Sequence, residues 1–411
     1  MGKRILIIGY NYSPELTGIG KYSGEMTEWL AQKGYQCHVL TTYPYYPQWK
    51  VQEPYRKKRF WFSTEKNSTG SITVYRCPMY VPQEPTGKKR MGSDLSFFMS
   101  AIFRLIPLLF SKKFDFVFSV APSFHVGFLG VFYSRFRKTK LIYHIQDLQI
   151  EVAQELKMIQ SQKILNICYK AEGYILKRAD VISSISERMV EKIEEKAKKK
   201  VVLFPNWVDN TVFHPLNDQD KIKKEYGYRP SDKVILYSGA IGEKQGLRAI
   251  LDVAERLISD KNTHFIICGT GPYKAKLEEL ARMKQLTNVQ FLPLQPKAKF
   301  NAFLNMADLH LVIQKSKASD LLLPSKLTAI LAVGGLALVT ADEGSSLHIV
   351  INKFNMGILV ATENQNALED GISLGISSTN SVEIRNNARV YSEKYLSIEN
   401  VMKTFQKTVF T

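Results

Sequence analysis

A chain of 411 residues exceeds what one hydrophobic core usually organises and suits two domains of about 200 residues each. Its hydrophobic content of 45% is ordinary for a globular protein, and its four scattered cysteines contain no C-x-x-C pair, which argues against a disulfide framework and against structural zinc. The net charge of +18 is uneven, because residues 1–200 hold 32 basic and 17 acidic side chains. The first half therefore suits an anionic partner, either a nucleic acid or a membrane leaflet.

Short apolar segments typical of buried strands alternate with amphipathic stretches along the whole chain. Several are continuous runs of Val, Ile, Leu and Phe, as expected for parallel strands that are covered on both faces. The first series of predicted strands is Arg4–Ile8, Cys37–Thr42, Ile72–Arg76, Phe116–Val120, Leu141–Ile145, Val181–Ile185 and Val201–Phe204. The second series is Val234–Ser238, Phe265–Cys268, Val289–Leu292, Leu309–Ile313, Ala337–Thr340 and Gly357–Val360. This alternation predicts an α/β fold with two Rossmann-like, doubly wound parallel sheets.

The break between the two series falls in the segment Pro205–Pro215, where the charge balance also changes. We place the hinge between the domains there. The expected domains are residues 1–205 and 206–395, and an amphipathic helix in residues 396–411 is expected to pack back on the first domain.

The first predicted strand leads into a loop with glycines just before a helical pattern at Tyr22–Gln32. Gly18 and Gly20 would let backbone N–H groups approach phosphate or sugar oxygens, although a plain tight turn is equally consistent with them. Their spacing is not the dinucleotide fingerprint, and the second strand ends in threonines where a nicotinamide-binding fold has an acidic residue. A dehydrogenase is therefore disfavoured.

The apolar segment Leu95–Phe110 lies between two basic clusters, Lys88–Arg90 and Lys112–Lys113. Arg104 and Pro107 interrupt it, so the pattern predicts an amphipathic helix lying in the plane of an anionic membrane surface; a buried interdomain helix is the alternative. The apolar run near the amino terminus is too short for a signal peptide. We therefore expect a cytoplasmic protein that is peripheral on the inner face of the cytoplasmic membrane.

Two polar residues near the end of a predicted strand are candidate catalytic groups. His144 and Asp147 would contact the transferred sugar or position the acceptor hydroxyl, with a structural role as the alternative for the histidine. The D-x-D pair Asp218 and Asp220 precedes a helical pattern, which predicts helix capping rather than metal binding. Because no cluster has metal-ligand spacing, no metal cofactor is expected.

Loops of the second series have the composition of a diphosphate-binding site. Glycines next to helix starts, together with cations, would hold the phosphates by backbone amides and charge. Since the carboxyl ends of parallel strands share one edge of a sheet, these loops are expected to converge. The residues predicted to bind in this way are Gly239, Gly242, Lys244, Gly269, Gly271, Ser325 and Lys326. Both lysines would also stabilise the charge that develops on the leaving diphosphate.

These motifs resemble the GT-4 family of glycosyltransferases, in particular the fucosyltransferases of colanic acid assembly. The resemblance covers essentially the whole chain. It implies the GT-B fold, with two Rossmann-like domains facing a central cleft, and a metal-independent, retaining transfer of a hexose in exopolysaccharide or capsule biosynthesis. The segments that carry it are Tyr10–Tyr22, Thr42–Trp49, Arg76–Pro82, His144–Asp147, Phe204–Trp207, Tyr237–Leu247, Phe291–Gln295 and Leu323–Thr328.

The resemblance also implies ligands and site residues. The donor would be a nucleotide-diphosphate sugar linked to GDP or UDP, with GDP-fucose the donor of the most similar members, and the acceptor a lipid-linked saccharide. Leu294 would join the donor site. The chain departs from the family where many members carry two glutamates, since Leu321 and Ala329 stand there, and Asp320 is the nearest carboxylate for the nucleotide ribose.

Two alternatives stay open at this point. A sugar-nucleotide epimerase uses the same fold, and it would turn over a donor without any acceptor. A nucleic-acid-binding protein would explain the basic first half, but the chain contains no recognised nucleic-acid motif, so we expect no nucleic-acid partner.

Overall fold

Two sheets organise the chain, and the α/β fold with two Rossmann-like parallel sheets is confirmed. The computed structural model describes residues 2–15, 18–84, 86–121, 123–155, 159, 161–315, 324–377 and 381–410, without the side chains of Lys88, Val152, Glu155, Lys244 and Ser325. The chain divides into two units. The first comprises Met1–Pro205 with Met402–Thr411, and the second comprises Asn206–Val401.

The first unit contains a sheet of eight strands in the order β3-β4-β2-β1-β5-β6-β7-β8, and every pairing is parallel except that of β3 with β4. The second contains six parallel strands in the order β11-β10-β9-β12-β13-β14. The strands are β1 Arg4–Ile8, β2 Gln36–Thr42, β3 Ser63–Lys66, β4 Ile72–Cys77, β5 Phe116–Ala121, β6 Lys140–Ile145, β7 Val181–Ser184, β8 Val201–Leu203, β9 Lys233–Ser238, β10 Thr263–Cys268, β11 Val289–Leu292, β12 Leu309–Val312, β13 Ala337–Thr340 and β14 Ile358–Val360.

Helices connect most of the strands and cover the sheets, so the central strands are buried on both faces. Strand β5, for example, is buried at every position, which explains its unbroken apolar sequence. The helices are α1 Gly18–Gln32, α2 Gly87–Leu109, α3 Val126–Arg137, α4 Gln149–Glu155, α5 Gln162–Arg178, α6 Glu187–Ala197, α7 Gln219–Glu225, α8 Arg248–Arg256, α9 Lys274–Met283, α10 Lys297–Asn305, α11 Ser325–Ala332, α12 Ser346–Phe354, α13 Gln365–Ser377, α14 Ser381–Tyr391 and α15 Ile398–Val409.

The last residues of the chain are held within the first unit. The ring of Phe405 stacks on that of Phe204, with centroids 3.8 Å apart. Lys3 Nζ donates to the carbonyl of Phe410 at 2.6 Å, and Lys140 Nζ donates to that of Val409 at 2.9 Å. Aromatic packing and two capped carbonyls thus fix the carboxyl terminus on this unit.

Helix α2 is longer than the apolar segment that predicts it, because it begins at Gly87 and continues through Pro107. One side of the helix is buried in the first unit through Phe97, Ala101 and Leu105. The opposite side exposes large apolar residues, namely Met91, Leu95, Met99, Phe103 and Ile106, and Phe110 is exposed just beyond its end. Among the described residues, this is the one helix long and apolar enough to cross a membrane by length and composition, and about a third of it is buried inside the protein.

Candidate active site

The order in which the chain adds strands to the second sheet reverses beside β9. The chain proceeds from β9 outward to β10 and β11 and then crosses to β12 on the other side of β9. Ligands of open α/β sheets bind beyond the carboxyl ends of the strands at such a switch point. The loop that follows β9 starts at Gly239, and Lys326 lies in the first turn of α11, the helix that follows β12. Two of the predicted phosphate-binding segments therefore flank the switch point.

The glycine loops after β9 and β10 pack directly on each other through their backbones. The N–H of Gly239 donates to the carbonyl of Cys268 at 2.9 Å, and that of Ile241 donates to Thr270 at 2.9 Å. A Cβ atom at Gly269 would lie 1.9 Å from the Gly239 carbonyl oxygen, and one at Gly271 would lie 2.1 Å from that of Ile241. Both positions require glycine because another backbone occupies the space of a side chain.

Lys326 points its ammonium group into this site without a hydrogen-bond partner among the described residues. The residue is partly buried as a whole, but its Nζ atom is inaccessible to solvent. That Nζ lies 3.9 Å from the centre of the buried Tyr237 ring, a cation–π contact, and the Tyr237 hydroxyl donates to the carbonyl of Ala240 at 2.7 Å. Burial lowers the pKa of Lys326 to about 7. A buried ammonium group is costly unless it is paired, so this position favours the binding of an anion.

The other predicted residues of the second unit lie near these loops or outside the described residues. Gly242 precedes a 3-10 turn, and the buried Oε1 of Gln245 in that turn also lacks a partner among the described residues. Leu294 is half exposed, two residues beyond β11. Asp320 and the side chains of Lys244 and Ser325 lie outside the part of the chain that the structure describes.

We expect Gly269→Ala and Gly271→Ala to reduce the affinity for a nucleoside diphosphate at least tenfold, because a methyl group would push the two loops apart. Overpacking of this kind also costs about 1–3 kcal/mol in the free energy of unfolding. Calorimetric titration and thermal melting measure the two effects. The matched control is Gly173→Ala in α5, where a Cβ meets nothing within 4 Å, so stability should rise slightly. Unchanged affinity in both loop variants would contradict the assignment.

A second group of polar side chains stands at the switch point of the first sheet, between β1 and β5. The Tyr10 hydroxyl makes a close hydrogen bond with His125 Nε2, and the Ser123 hydroxyl donates to Asp94 Oδ2 at 3.3 Å. Tyr10 follows β1, and Ser123 and His125 follow β5, while Asp94 comes from α2. Burial raises the pKa of Asp94 to about 6 and lowers that of His125 to about 4. The cluster therefore pairs an ionised carboxylate with a neutral imidazole at neutral pH.

Sequence reasoning missed this cluster, although two signals for it exist. Tyr10, Ser123 and His125 all follow strands that flank the switch point. Asp94 is the lone acidic residue in the long apolar helix α2. An acidic residue in such an apolar segment indicates a functional or structural role.

His144, in contrast, lies in the core of the first unit. Its side chain is 2% exposed, and both ring nitrogens have partners at 3.0 Å, Ser183 Oγ and Gln146 Nε2. The ring also packs against those of Phe118 and Phe204, with centroids 5.7 and 5.2 Å away. Burial lowers the pKa of His144 to about 3, which keeps the ring neutral. In this environment both ring nitrogens of His144 are engaged within the first unit, which favours the structural role given as the alternative; its contact with the sugar stays a prediction.

Asp147 remains near the edge of the sheet, half-buried and two residues beyond the end of β6. The contact of Asp147 with the acceptor or the sugar stays a prediction.

Gly20 has a structural reason in the loop after β1. A Cβ at this glycine would lie 2.5 Å from Oε2 of Glu15. That carboxylate is 3% exposed and accepts the N–H groups of Tyr45 and Tyr46, each at 2.9 Å. Because a carboxylate already fills this place, Gly20 serves loop packing in the structure. Gly18 begins α1 in a left-handed conformation, with φ of 61°.

The D-x-D motif caps a helix, as predicted. Asp218 is the N-cap residue of α7, and its carboxylate accepts the N–H of Lys221 at 3.1 Å. Within the described ranges, no group of three or more His, Cys, Asp or Glu side chains is placed to hold a metal ion.

Comparison with known proteins agrees with this geometry. The family model described as glycosyl transferase 4-like domain matches residues 17–207, and the one described as glycosyl transferases group 1 matches residues 218–394. The putative colanic acid biosynthesis glycosyl transferase of Escherichia coli is 39% identical over 98% of each chain.

Solved structures with the same fold cover nearly the whole chain. Sucrose-phosphate synthase from Thermosynechococcus elongatus has a TM-score of 0.76 at 15% identity, covering 99% of this chain and 98% of that one. Anabaena HepE in complex with UDP and glucose has a TM-score of 0.69 at 13% identity, covering 99% of each. The family models and the Escherichia coli relative, rather than these structures, identify the class of enzyme as a glycosyltransferase. The chain belongs to the group 1 glycosyltransferases, with a glycosyl transferase 4-like domain in its first half, and it is an enzyme of the GT-B fold.

Proposed function

We propose that this glycosyltransferase transfers a hexose from a nucleotide-diphosphate sugar to a lipid-linked saccharide, with retention at the anomeric carbon and without a metal. The observation that carries the donor assignment is the buried Nζ of Lys326, which lies beside the paired glycine loops of the second unit and has no hydrogen-bond partner in the part of the chain that the structure describes. A diphosphate would supply the missing anion, and the backbone amides of the loops would supply hydrogen-bond donors.

The similarity to known proteins supports the class of pathway and of donor. The Escherichia coli relative is named for colanic acid biosynthesis, and the Anabaena HepE structure holds UDP and glucose. We therefore assign the chain to exopolysaccharide or capsule assembly, with a donor linked to GDP or UDP. GDP-fucose is the specific donor that we propose to test first.

The proposed reaction breaks the bond between the anomeric carbon and the leaving diphosphate oxygen, and it forms a bond from the same carbon to the acceptor oxygen. The acceptor proton passes to the leaving phosphate on the same face of the sugar, which gives retention. Lys326 and the loop amides stabilise the negative charge that grows on the diphosphate. We assign the binding of the acceptor hydroxyl to the cluster of Tyr10, Asp94, Ser123 and His125 in the first unit. This cluster stands at the switch point of its own sheet.

A binding screen followed by product analysis tests this function. Nucleoside diphosphates of all common bases, and then their sugars, are added in thermal-shift and calorimetric titrations. We expect one base to bind clearly tighter than the others. NMR of the product should show that the transferred sugar keeps its anomeric configuration. Turnover of the donor into another sugar nucleotide without acceptor would instead identify an epimerase.

We expect the transfer to continue at an unchanged rate in excess chelator. The diphosphate charge is assigned to Lys326 and backbone amides, and the carboxylate of Asp218 is engaged in capping α7. The measurement is the initial rate with and without chelator. A rate that disappears with chelator and returns with Mg²⁺ or Mn²⁺ would contradict metal independence.

We further propose that the protein is peripheral on the anionic inner face of the cytoplasmic membrane and contacts it through α2. The exposed apolar side of α2 lies between Lys89–Arg90 and Lys112–Lys113. Each basic residue near such a surface contributes about 1 kcal/mol, so reversing these four charges to glutamate should abolish binding to anionic vesicles. Sedimentation with anionic and neutral vesicles measures this effect.

The two sides of α2 provide the control. Phe103 is exposed, so Phe103→Ser should weaken vesicle binding without changing the melting temperature. Phe97 is fully buried, so Phe97→Ser should instead lower the melting temperature by creating an unpaired hydroxyl and a cavity in the core. Equal binding of the native protein to neutral and anionic vesicles would contradict the electrostatic part of the proposal.

A further inference from the structure

Three consecutive aromatic side chains are exposed on the first unit, directly after four basic residues. Phe60, Trp61 and Phe62 are 69%, 74% and 45% exposed, respectively. The run Arg56–Arg59 precedes them, and the Arg59 guanidinium lies 4.4 Å from the centre of the Phe60 ring. Large aromatic residues are normally buried, so a contiguous exposed group indicates a surface that binds a partner.

This basic–aromatic loop, Arg56–Phe62, is anchored to the sheet. The buried Tyr43 side chain donates its hydroxyl hydrogen bond to the Trp61 carbonyl at 2.7 Å and lies 3.0 Å from Ser63 Oγ. Ser63 begins β3, where it pairs with Arg76 near the carboxyl end of β4. The aromatic rings are therefore exposed on a loop whose backbone is fixed by hydrogen bonds. The loop lies at the carboxyl end of the strands, as Tyr10 does.

The loop is also a neighbour of α2. Arg104 of α2 donates to the hydroxyl of Thr64, which is two residues after Phe62, and its guanidinium lies 4.7 Å from the Tyr75 ring centre. Arg90, in the first turns of α2, lies 5.1 Å from the ring of Trp49. By helical spacing, Arg104 and Arg90 lie on the side of α2 that contains the buried Phe97, so these contacts place β3, which follows the loop, against the buried side of the helix.

We propose that the basic–aromatic loop forms a docking surface for an anionic lipid bilayer, with Phe60–Phe62 inserted at the level of the headgroups. The proposal rests on the membrane location proposed above and adds a second element that the α2 pattern does not contain. Aromatic rings prefer the interface of a bilayer, and adjacent cations attract anionic headgroups.

The charge of the surface favours lipid over a second copy of the chain. A two-fold dimer through this patch would place Arg56–Arg59 of each copy near the basic residues of the other, and like charges brought together are costly. An anionic headgroup layer neutralises the same residues. The position of the loop at the carboxyl edge of the sheet would also hold the switch point with Tyr10 and Asp94 close to the bilayer, where a lipid-linked acceptor resides.

Trp61 reports directly on this surface. Trp29 and Trp207 are buried and Trp49 is partly buried, so Trp61 is the most exposed of the four tryptophans. Vesicles of phosphatidylglycerol and phosphatidylcholine should shift its emission to the blue, and vesicles with brominated acyl chains should quench it. Trp61→Phe keeps an aromatic ring and should lose both signals while it still sediments with vesicles.

The triple variant Phe60→Ser, Trp61→Ser, Phe62→Ser tests the energetic role of the loop. We expect its affinity for anionic vesicles to fall at least tenfold with an unchanged melting temperature, because the three rings are exposed. Ile167→Ser is the matched control, since Ile167 is 66% exposed on α5, which contacts α3, α4 and α6. Its vesicle affinity should not change.

Three results would overturn the proposal. One is a native Trp61 emission that vesicles neither shift nor quench. Another is a triple variant that binds vesicles as tightly as the native protein while the α2 charge reversal releases it. The third is a change of molecular mass in the triple variant, which would identify the patch as a contact between copies. None of these measurements requires sugar transfer, so the docking surface and the proposed reaction are tested separately.

Discussion

Lys326→Met is expected to weaken the binding of a nucleoside diphosphate by about 10- to 100-fold. A charge-assisted contact contributes about 1.5–3 kcal/mol, and 1.4 kcal/mol corresponds to a factor of ten in affinity. Binding of the ligand should also cause the protein to take up a proton. Burial lowers the pKa of Lys326 to about 7 in the free protein, and a bound diphosphate stabilises the charged form and raises that pKa again. At pH 8.5 we therefore expect uptake of most of one proton on binding.

Calorimetry in buffers of different ionisation enthalpy measures this uptake, which should vanish in Lys326→Met. The control is Lys353→Met, which removes an exposed charge from the end of α12 in the same unit. Two results would contradict the donor site. One is that the native protein binds the diphosphate without proton uptake, and the other is that Lys326→Met binds it with native affinity.

The same group predicts how the stability of the free protein depends on pH. The pKa of Lys326 is lowered on folding from 10.5 to about 7, so the unfolded chain holds more protons between these values. The cost of burying this lysine is therefore absent above pH 10.5, grows as the pH falls, and is complete below about pH 7. Lys326→Met should melt at a higher temperature than the native protein at pH 7, and the two melting temperatures should approach each other near pH 10.5.

The sheets of this protein are predictable because buried parallel strands need unbroken apolar sequences. Strand β3 is the exception, since Ser63–Lys66 is short and polar and alternates between partly buried and exposed positions. Its pairing with β4 depends on a long-range contact, in which the buried Arg76 meets the carboxylate of Glu65 at 3.3 Å. No local pattern contains that information, and the exposure of the three aromatic residues that precede β3 is not predictable from a local pattern either.

The proposed donor site of the second unit is predictable for a related reason. Loops that follow neighbouring parallel strands must meet at one edge, so glycines and a lysine in those loops suffice to place Lys326 beside Gly239. The direction of a side chain within a doubly covered strand is not predictable in this way, because both faces are apolar. His144 shows this, since its ring turns inward and packs against those of Phe118 and Phe204.

The polar cluster that we assign to the acceptor required the structure because its acid comes from a helix. Asp94 lies in α2, and only packing brings it to Ser123 beyond the end of β5. Strand ends alone would have indicated Tyr10, Ser123 and His125 but not the carboxylate that completes the group.

Asp94→Asn is expected to raise the KM for the acceptor by about 10- to 100-fold at pH 8, since an ionised carboxylate accepts a stronger hydrogen bond from a sugar hydroxyl than an amide does. Donor affinity should not change. Because the pKa of Asp94 is raised to about 6, the native KM for the acceptor should fall as the pH rises through 6, and this dependence should be absent in the variant. Initial rates at several acceptor concentrations and pH values measure both effects.

The stability of the same variant provides an independent reading. Folding raises the pKa of Asp94 from 3.8 to about 6, so burying the carboxylate costs nothing below pH 3.8 and costs most above pH 6. Asp94→Asn should therefore melt above the native protein at pH 8 and close to it at pH 4. Asp115→Asn is the matched control, because Asp115 precedes β5 and binds the N–H of Arg4 at the opposite edge of the sheet. If both variants changed the KM for the acceptor equally, the effect would belong to the fold of the first unit and the cluster at Asp94 would lose its assigned role.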